Sequence, residues 1–172
     1  MNTGDFFIKN LITTTTLVRE GMRTTLVHAM TGADWRTLRK IWQDIYGETT
    51  TRPGRLPVNT FAYLRQGQTS LLLSTIVAVY LTVEKRANPQ TASPAEMFLQ
   101  AWETRKLFIE NGMEIDINAA WYAIRDVKAG LVSWGRCRQC KATYIFDTEF
   151  RETNNCPYCG ERDIKIIGPG RQ

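Results

Sequence analysis

At 172 residues and 43 % hydrophobic, the chain is long enough to bury one core with a small appendage. Its longest apolar run, Leu71 to Val83, is broken by Ser74, Thr75 and Thr82 and falls short of the about 20 residues a membrane span requires, so no membrane partner is expected. The net charge of +5 is uneven: residues 1–65 carry nine basic and five acidic side chains, 66–133 six and seven, and 134–172 seven and five. Both ends are therefore basic, as expected if they meet a polyanion while the middle serves as scaffold. The chain opens Met-Asn-Thr-Gly-Asp, with neither a basic n-region nor an apolar signal core, which predicts a cytoplasmic protein with reduced cysteines.

In chain order, Asp5 to about Met22 reads as a helix carrying Phe6, Phe7, Ile8, Leu11, Ile12, Leu17 and Val18, with a threonine run, Thr13–Thr16, that weakens it. These apolar residues cover too much of the circumference for a simple surface helix, so packing against another helix of the chain or of a partner is expected. Residues 21–47 then hold two helical segments. Met22, Leu26, Val27 and Met30 run into Thr31-Gly32, and an amphipathic stretch follows from Asp34 to Tyr46. Two helices joined by a short glycine-containing turn make a helix-turn-helix pattern. In the second, Trp35, Leu38, Ile41, Trp42 and Ile45 form a stripe predicted to face the core, and Asp34 stands at the N-cap. Arg36, Arg39, Lys40 and Gln43 form the opposite stripe, long donors on the face that such folds lay in the major groove of double-stranded DNA. His28, the only histidine, is expected to be packed or solvent-facing and not a ligand.

The polar stretch Glu48 to Pro57 reads as a loop, from which Arg52 and Arg55 can touch phosphates, and Val58 to Leu64 as a short connecting element. Ser70 to about Arg86 is apolar nearly all round and predicts a buried helix. Ser93-Pro94-Ala95-Glu96 predicts a capped helix start continuing to Gly112. Asp116 or Asn118 caps a further helix that carries Ala120, Trp121, Ile124, Val127 and Leu131, with Gly130 near its end.

All four cysteines then fall in two C-x2-C pairs, Cys137/Cys140 and Cys156/Cys159, the second followed by Gly160. Two thiolates on one tight turn can face one ion, and two such turns complete a tetrahedral four-sulfur site. One structural Zn2+ is the expected occupant, with iron as the competing ion. Four thiolates leave no coordination position for water, so a catalytic role is not expected. The alternating Ala142, Tyr144 and Phe146 suggest a short strand between the pairs, and Gly168 to Gln172 reads as a mobile tail. Neither a phosphate-binding glycine motif nor a nucleophile elbow is present, and a single histidine offers little for acid–base chemistry, so no enzyme is expected. The predicted fold is mainly α: a helical domain, 1–133, followed by a small C-terminal zinc ribbon with a short tail, 134–172.

Several stretches together resemble the FlhC family, the larger subunit of the bacterial flagellar master transcriptional activator. They are Gly21-Met-Arg with the Thr31-Gly32 turn, Leu38 to Trp42 ahead of Tyr46-Gly47, the Gly54 to Pro57 loop, the helix from Ala120-Trp121 to Gly130-Leu131, and the four cysteines. The resemblance implies a DNA-binding activator that acts in a hetero-oligomer with a small FlhD-like helical subunit and recruits RNA polymerase. It also implies zinc on Cys137, Cys140, Cys156 and Cys159. Relatives on conjugative elements switch on transfer genes instead of flagellar ones, and the short stretch after the last cysteine leans towards that branch. On this view Arg36, Arg39, Lys40, Gln43, Arg52 and Arg55, with Arg136, Arg138, Lys141 and Arg151 around the ribbon, grip DNA mostly through phosphates. Two other readings stay open from the residues: a non-DNA-binding ribbon adaptor or anti-activator, and a rubredoxin-type electron carrier, the latter weakened by the lack of any Glu-x-x-His pair for a di-iron bundle.

Overall fold

The computed structural model describes residues 3–47, 60, 64, 67–88, 91–109, 112, 114–146, 155–162 and 164–166. The chain is mainly helical, with a four-cysteine module at its C-terminal end. Helix α1, Thr3–Arg19, absorbs its threonine run by back-bonding: the hydroxyls of Thr14, Thr15 and Thr16 donate to the carbonyls of Asn10, Leu11 and Ile12 at 2.7, 2.8 and 2.9 Å. It ends at Gly21, whose φ of 88° lets the Met22 amide turn back to the Leu17 carbonyl at 3.0 Å. Helices α2, Thr24–Thr31, and α3, Trp35–Tyr46, follow, and the Tyr46 hydroxyl donates to the last carbonyls of α1, Val18 at 2.9 Å and Arg19 at 3.1 Å.

Helix α4, Gly67–Arg86, is the long buried helix expected from its composition, and it touches α5, Pro94–Trp102, α7, Ile117–Lys128, and the ribbon. One continuous core joins Leu17, Val27, Leu38, Ile76, Phe98 and Ile124 from these helices. The helix predicted to run from Ser93 to Gly112 is instead interrupted: α5 stops at Trp102, Glu103–Arg105 tightens into a 3-10 turn, and α6 spans only Lys106–Ile109. Glu20, just past the end of α1, meets this break. Glu20 accepts from the Trp102 indole at 3.0 Å and from Arg105 at 2.5 Å, and the Arg105 guanidinium lies 4.6 Å from the Trp102 ring centroid. Ser93 occupies the N-cap of α5 without a capping bond from its side chain, while Glu96 pairs with Lys9 of α1 at 2.6 Å.

Asp116, not Asn118, caps α7, accepting from the Asn118 amide at 2.8 Å. Asn118 is buried and stitches α7 to the bend after α1, accepting from the Arg23 amide at 3.0 Å and donating to the Gly21 carbonyl at 3.3 Å. After α7 come β1, Ser133–Cys137, β2, Thr143–Phe146, and β3, Ile164–Ile166, in an antiparallel sheet of order β2-β1-β3. Gly135 stands between Tyr144 and Ile166 across this sheet, and a Cβ there would lie 2.6 Å from the Phe146 ring.

The sheet docks on α4. Ile145 is buried within the helical core, its amide donates to the Ser74 hydroxyl at 3.1 Å, and the Tyr158 and Thr75 hydroxyls are 3.2 Å apart. Among the described residues no helix is long and apolar enough to cross a membrane.

Candidate nucleic-acid interface and metal centre

The turn between α2 and α3 is built from Gly32, Ala33 and Asp34, with Gly32 at φ 69° ending α2. Asp34 caps α3 as its position suggested, accepting from the amides of Arg36 and Thr37, both at 2.9 Å, and from the Thr37 hydroxyl at 2.6 Å. The Thr37 hydroxyl and amide hold its carboxyl below the usual range. Leu38, Ile41 and Trp42 are buried and Ile45 is partly so, but Trp35 departs from the predicted stripe and is 43 % exposed. It stands in the first turn of α3, where a side chain leans back over the N-terminus, and there it stacks on His28 with ring centroids 4.5 Å apart. The His28 ring nitrogen Nδ1 sits 2.8 Å from the Ala33 carbonyl, so the histidine is a packed element of the turn.

Arg36, Arg39, Lys40 and Gln43 are all exposed, and their spacing of i, i+3, i+4 and i+7 places them on one face of α3. Among the described residues no side-chain hydrogen bond or ion pair engages them. Of the second basic group, Arg136, Arg138 and Lys141 are exposed around the first cysteine turn. Arg136 donates to the Lys141 carbonyl at 2.9 Å and the Lys141 ammonium to the Arg138 carbonyl, so both partly serve the turn itself. Because α3 packs on α1 and α2 while the ribbon packs on α4, these two basic groups stand on different parts of the fold. Arg52, Arg55, the loop Glu48 to Pro57, most of the element Val58 to Leu64, Arg151 and the tail Gly168 to Gln172 lie outside the described residues.

Thr60, beyond the Glu48 to Pro57 loop, does have a described anchor. Asp126 is fully buried and accepts from the Thr60 amide at 2.9 Å and the Thr60 hydroxyl at 2.7 Å, while Arg125 donates to its other oxygen at 2.8 Å. Sequence reasoning missed this lock, and the only signal for it was an acidic residue on the apolar side of a helix pattern.

The four cysteine sulfurs lie within 4.8 Å of one another, with Cys137 to Cys159 and Cys140 to Cys156 each at 3.6 Å. A disulfide needs about 2.05 Å, whereas the corners of a tetrahedron with zinc–sulfur bonds of about 2.3 Å stand roughly 3.8 Å apart. The donor set and its spacing therefore fit one tetrahedral ion. Both turns use the same backbone device, a left-handed residue after the second cysteine: Lys141 at φ 64° and Gly160 at φ 76°. Cys137 and Cys156 are buried with Tyr144 and Phe146 in a small second core, and Cys140 and Cys159 are exposed.

Burial pushes the Cys156 thiol up to about 12 against hydrogen bonds from the Tyr158 and Cys159 amides. At Cys137 burial also acts upward, but the amides of Cys140 and Gln139 together with the Cys159 and Cys140 thiols outweigh it and bring the thiol down to about 7. For Cys159 a hydrogen bond from the Glu161 backbone acts downward and is outweighed by burial and the neighbouring thiols, which leaves it raised.

Residues 8–163, a window that includes α3 and all four cysteines, match the family described as flagellar transcriptional activator (FlhC). The chain belongs to the FlhC family. It is also 24 % identical over 147 residues to the flagellar transcriptional regulator FlhC of Gallionella capsiferriformans (strain ES-2), covering 85 % of this chain and 79 % of that one. The FlhC family is one of transcriptional regulators and not of enzymes, in keeping with the lack of catalytic motifs in the sequence.

Proposed function

We propose that this chain is the DNA-binding subunit of a transcriptional activator that acts with a small FlhD-like helical subunit and recruits RNA polymerase to its promoters. The observation that carries the proposal is the face of α3: four long polar side chains on one exposed stripe, behind a capped helix-turn-helix turn, with no internal partner among the described residues. Arginine suits guanine edges and phosphates, lysine phosphates, and glutamine adenine edges. Arg52 and Arg55, with Arg136, Arg138, Lys141 and Arg151, add phosphate contacts that set register without reading sequence.

On the same reading the chain divides into a helical DNA-reading body, 1–133, and a ribbon, 134–172, in which Cys137, Cys140, Cys156 and Cys159 hold one structural Zn2+. Such an ion ties the two turns together and, with its coordination filled by sulfur, supplies folding energy in place of chemistry. The regulated promoters belong to flagellar genes or to conjugative-transfer genes.

Fluorescence anisotropy of the complex with a promoter duplex tests the DNA contact. Affinity should fall steeply between about 50 and 200 mM salt. Arg39→Ala should cost about 1–3 kcal/mol and relax sequence choice at one position, whereas Lys40→Ala should weaken all sequences alike and lower the salt slope by about 1. An equal loss across all sequences from both changes would remove the base-reading role from Arg39. Salt-independent or absent binding would favour an adaptor that contacts only proteins.

A further inference from the structure

We propose that the first three turns of α1 are the segment by which this chain seats itself in an apolar cleft of its helical partner subunit. The inference rests on the hetero-oligomer reading and adds the surface that serves it. Every residue from Gly4 to Lys9 is exposed, on all sides of the helix, so these turns reach past the core that buries Thr13, Thr14, Leu17 and Val18 further along. Phe6, Phe7, Ile8, Leu11 and Ile12 are 59, 67, 58, 40 and 61 % exposed.

At about 100° per residue these five side chains spread over roughly 240° of the circumference. A flat surface or a single helix from a second copy of this chain covers only a stripe of about 100°. The occupant is therefore a cleft with apolar walls on more than one side, the arrangement in which a helix lies in a groove between other helices. Charge narrows the choice further. The projecting turns carry only Asp5 and Lys9, which cancel, and Lys9 is already paired with Glu96 at 2.6 Å, so neither DNA phosphates nor an anionic lipid surface is attracted.

The exposed apolar area of the five residues is roughly 500 Å², near the upper end of what a monomer leaves bare. With a polar border it approaches the about 800 Å² per partner of a stable interface. The surface continues into a groove of about 220 Å³ where Phe7, Leu11 and Thr14 face Gly32, Asp34 and Thr37. A partner seated on α1 thus reaches the turn that sets the start of α3.

The test is a quantitative binding assay between the full zinc-loaded chain and the FlhD-like subunit, using the double variant Phe7→Glu with Ile12→Glu. Affinity should drop on the order of a hundredfold while circular dichroism and zinc content stay unchanged. Incorporation of benzoylphenylalanine at position 7 in the otherwise native chain should crosslink the partner on irradiation, a readout that does not depend on how the double variant folds.

Native chain and double variant binding the partner equally, with no crosslink from position 7, would overturn the docking surface and leave the hetero-oligomer standing. No binding by the native chain would overturn both. A crosslink to a second copy of this chain would assign the surface to self-association and overturn the proposal.

Discussion

Asp126→Ala probes the lock between α7 and Thr60. In the native chain the Asp126 carboxylate is 0 % exposed and receives the Thr60 amide and hydroxyl at 2.9 and 2.7 Å, and Thr60 is itself fully buried. Alanine would strand both Thr60 donors away from water. The Arg125 side chain, 42 % exposed and stacked 4.5 Å from the Tyr122 centroid, keeps access to solvent, so the loss concentrates on Thr60. Hydrogen bonds to a buried charge contribute about 1.5–3 kcal/mol each, which puts the destabilisation at about 3–6 kcal/mol.

For a chain of this length that corresponds to a fall in Tm of roughly 10 °C. Thr60→Val, which removes only the hydroxyl, should cost about half as much, and the double variant should cost less than the two single changes added together. Urea denaturation of the zinc-loaded chain, followed by circular dichroism, gives all three values. A loss below about 1 kcal/mol for Asp126→Ala, or strict additivity in the cycle, would refute the lock.

Three further outcomes follow from the ribbon. Gly135→Ala should destabilise it by about 1–3 kcal/mol, because the new Cβ meets the buried Phe146 ring at 2.6 Å; an unchanged urea midpoint would contradict that close approach. Stripping the metal with a strong chelator should open the small core of Cys137, Tyr144, Phe146 and Cys156, making residues 134–166 the first site of proteolysis while helix content is largely kept. Cleavage that begins in the helices instead would refute that order.

Zinc binding should also release protons. In the folded arrangement burial pushes the Cys156 thiol up to about 12 and the Cys159 thiol is also raised, and in the opened metal-free ribbon an ordinary thiol titrates near about 8.5, so in either state protons held at neutral pH must be lost to the metal. Affinity should therefore rise with pH by at least about two log units per unit between pH 6 and 8, and fall again on acidification. Calorimetry in buffers of different ionisation enthalpy measures the proton count, and proton-neutral binding would be inconsistent with these thiols.

Much of this fold was readable because its signals are local. The four-cysteine spacing foretold the cluster, the apolar content of residues 70–86 foretold a buried helix, and Asp34 foretold its own cap, since each depends on neighbours a few residues away. What escaped were choices made by distant residues. Trp35 fits the periodic stripe of α3, yet it stacks on His28 over the turn; Glu20 gathers Trp102 and Arg105 at the point where α5 gives way to the 3-10 turn.

The strand pattern Ala142, Tyr144, Phe146 located β2 but assigned it one apolar face. Tyr144, Ile145 and Phe146 are all buried because β2 has the ribbon core on one side and α4 on the other. Strand β3, only three residues long, carries too little periodicity to register. The stripe Arg36, Arg39, Lys40 and Gln43 was legible as a helix face, while the freedom of those side chains from partners among the described residues needed the fold.

Genome-wide occupancy of the tagged chain in its own host, with and without the FlhD-like subunit, tests most directly whether it is a promoter-binding activator that depends on a helical partner. Sharp peaks upstream of promoters that disappear when the partner is absent are expected, and the genes beneath them identify the regulon as flagellar or conjugative. Lack of peaks in both strains would contradict that role and leave the ribbon and α3 as surfaces for protein contacts alone.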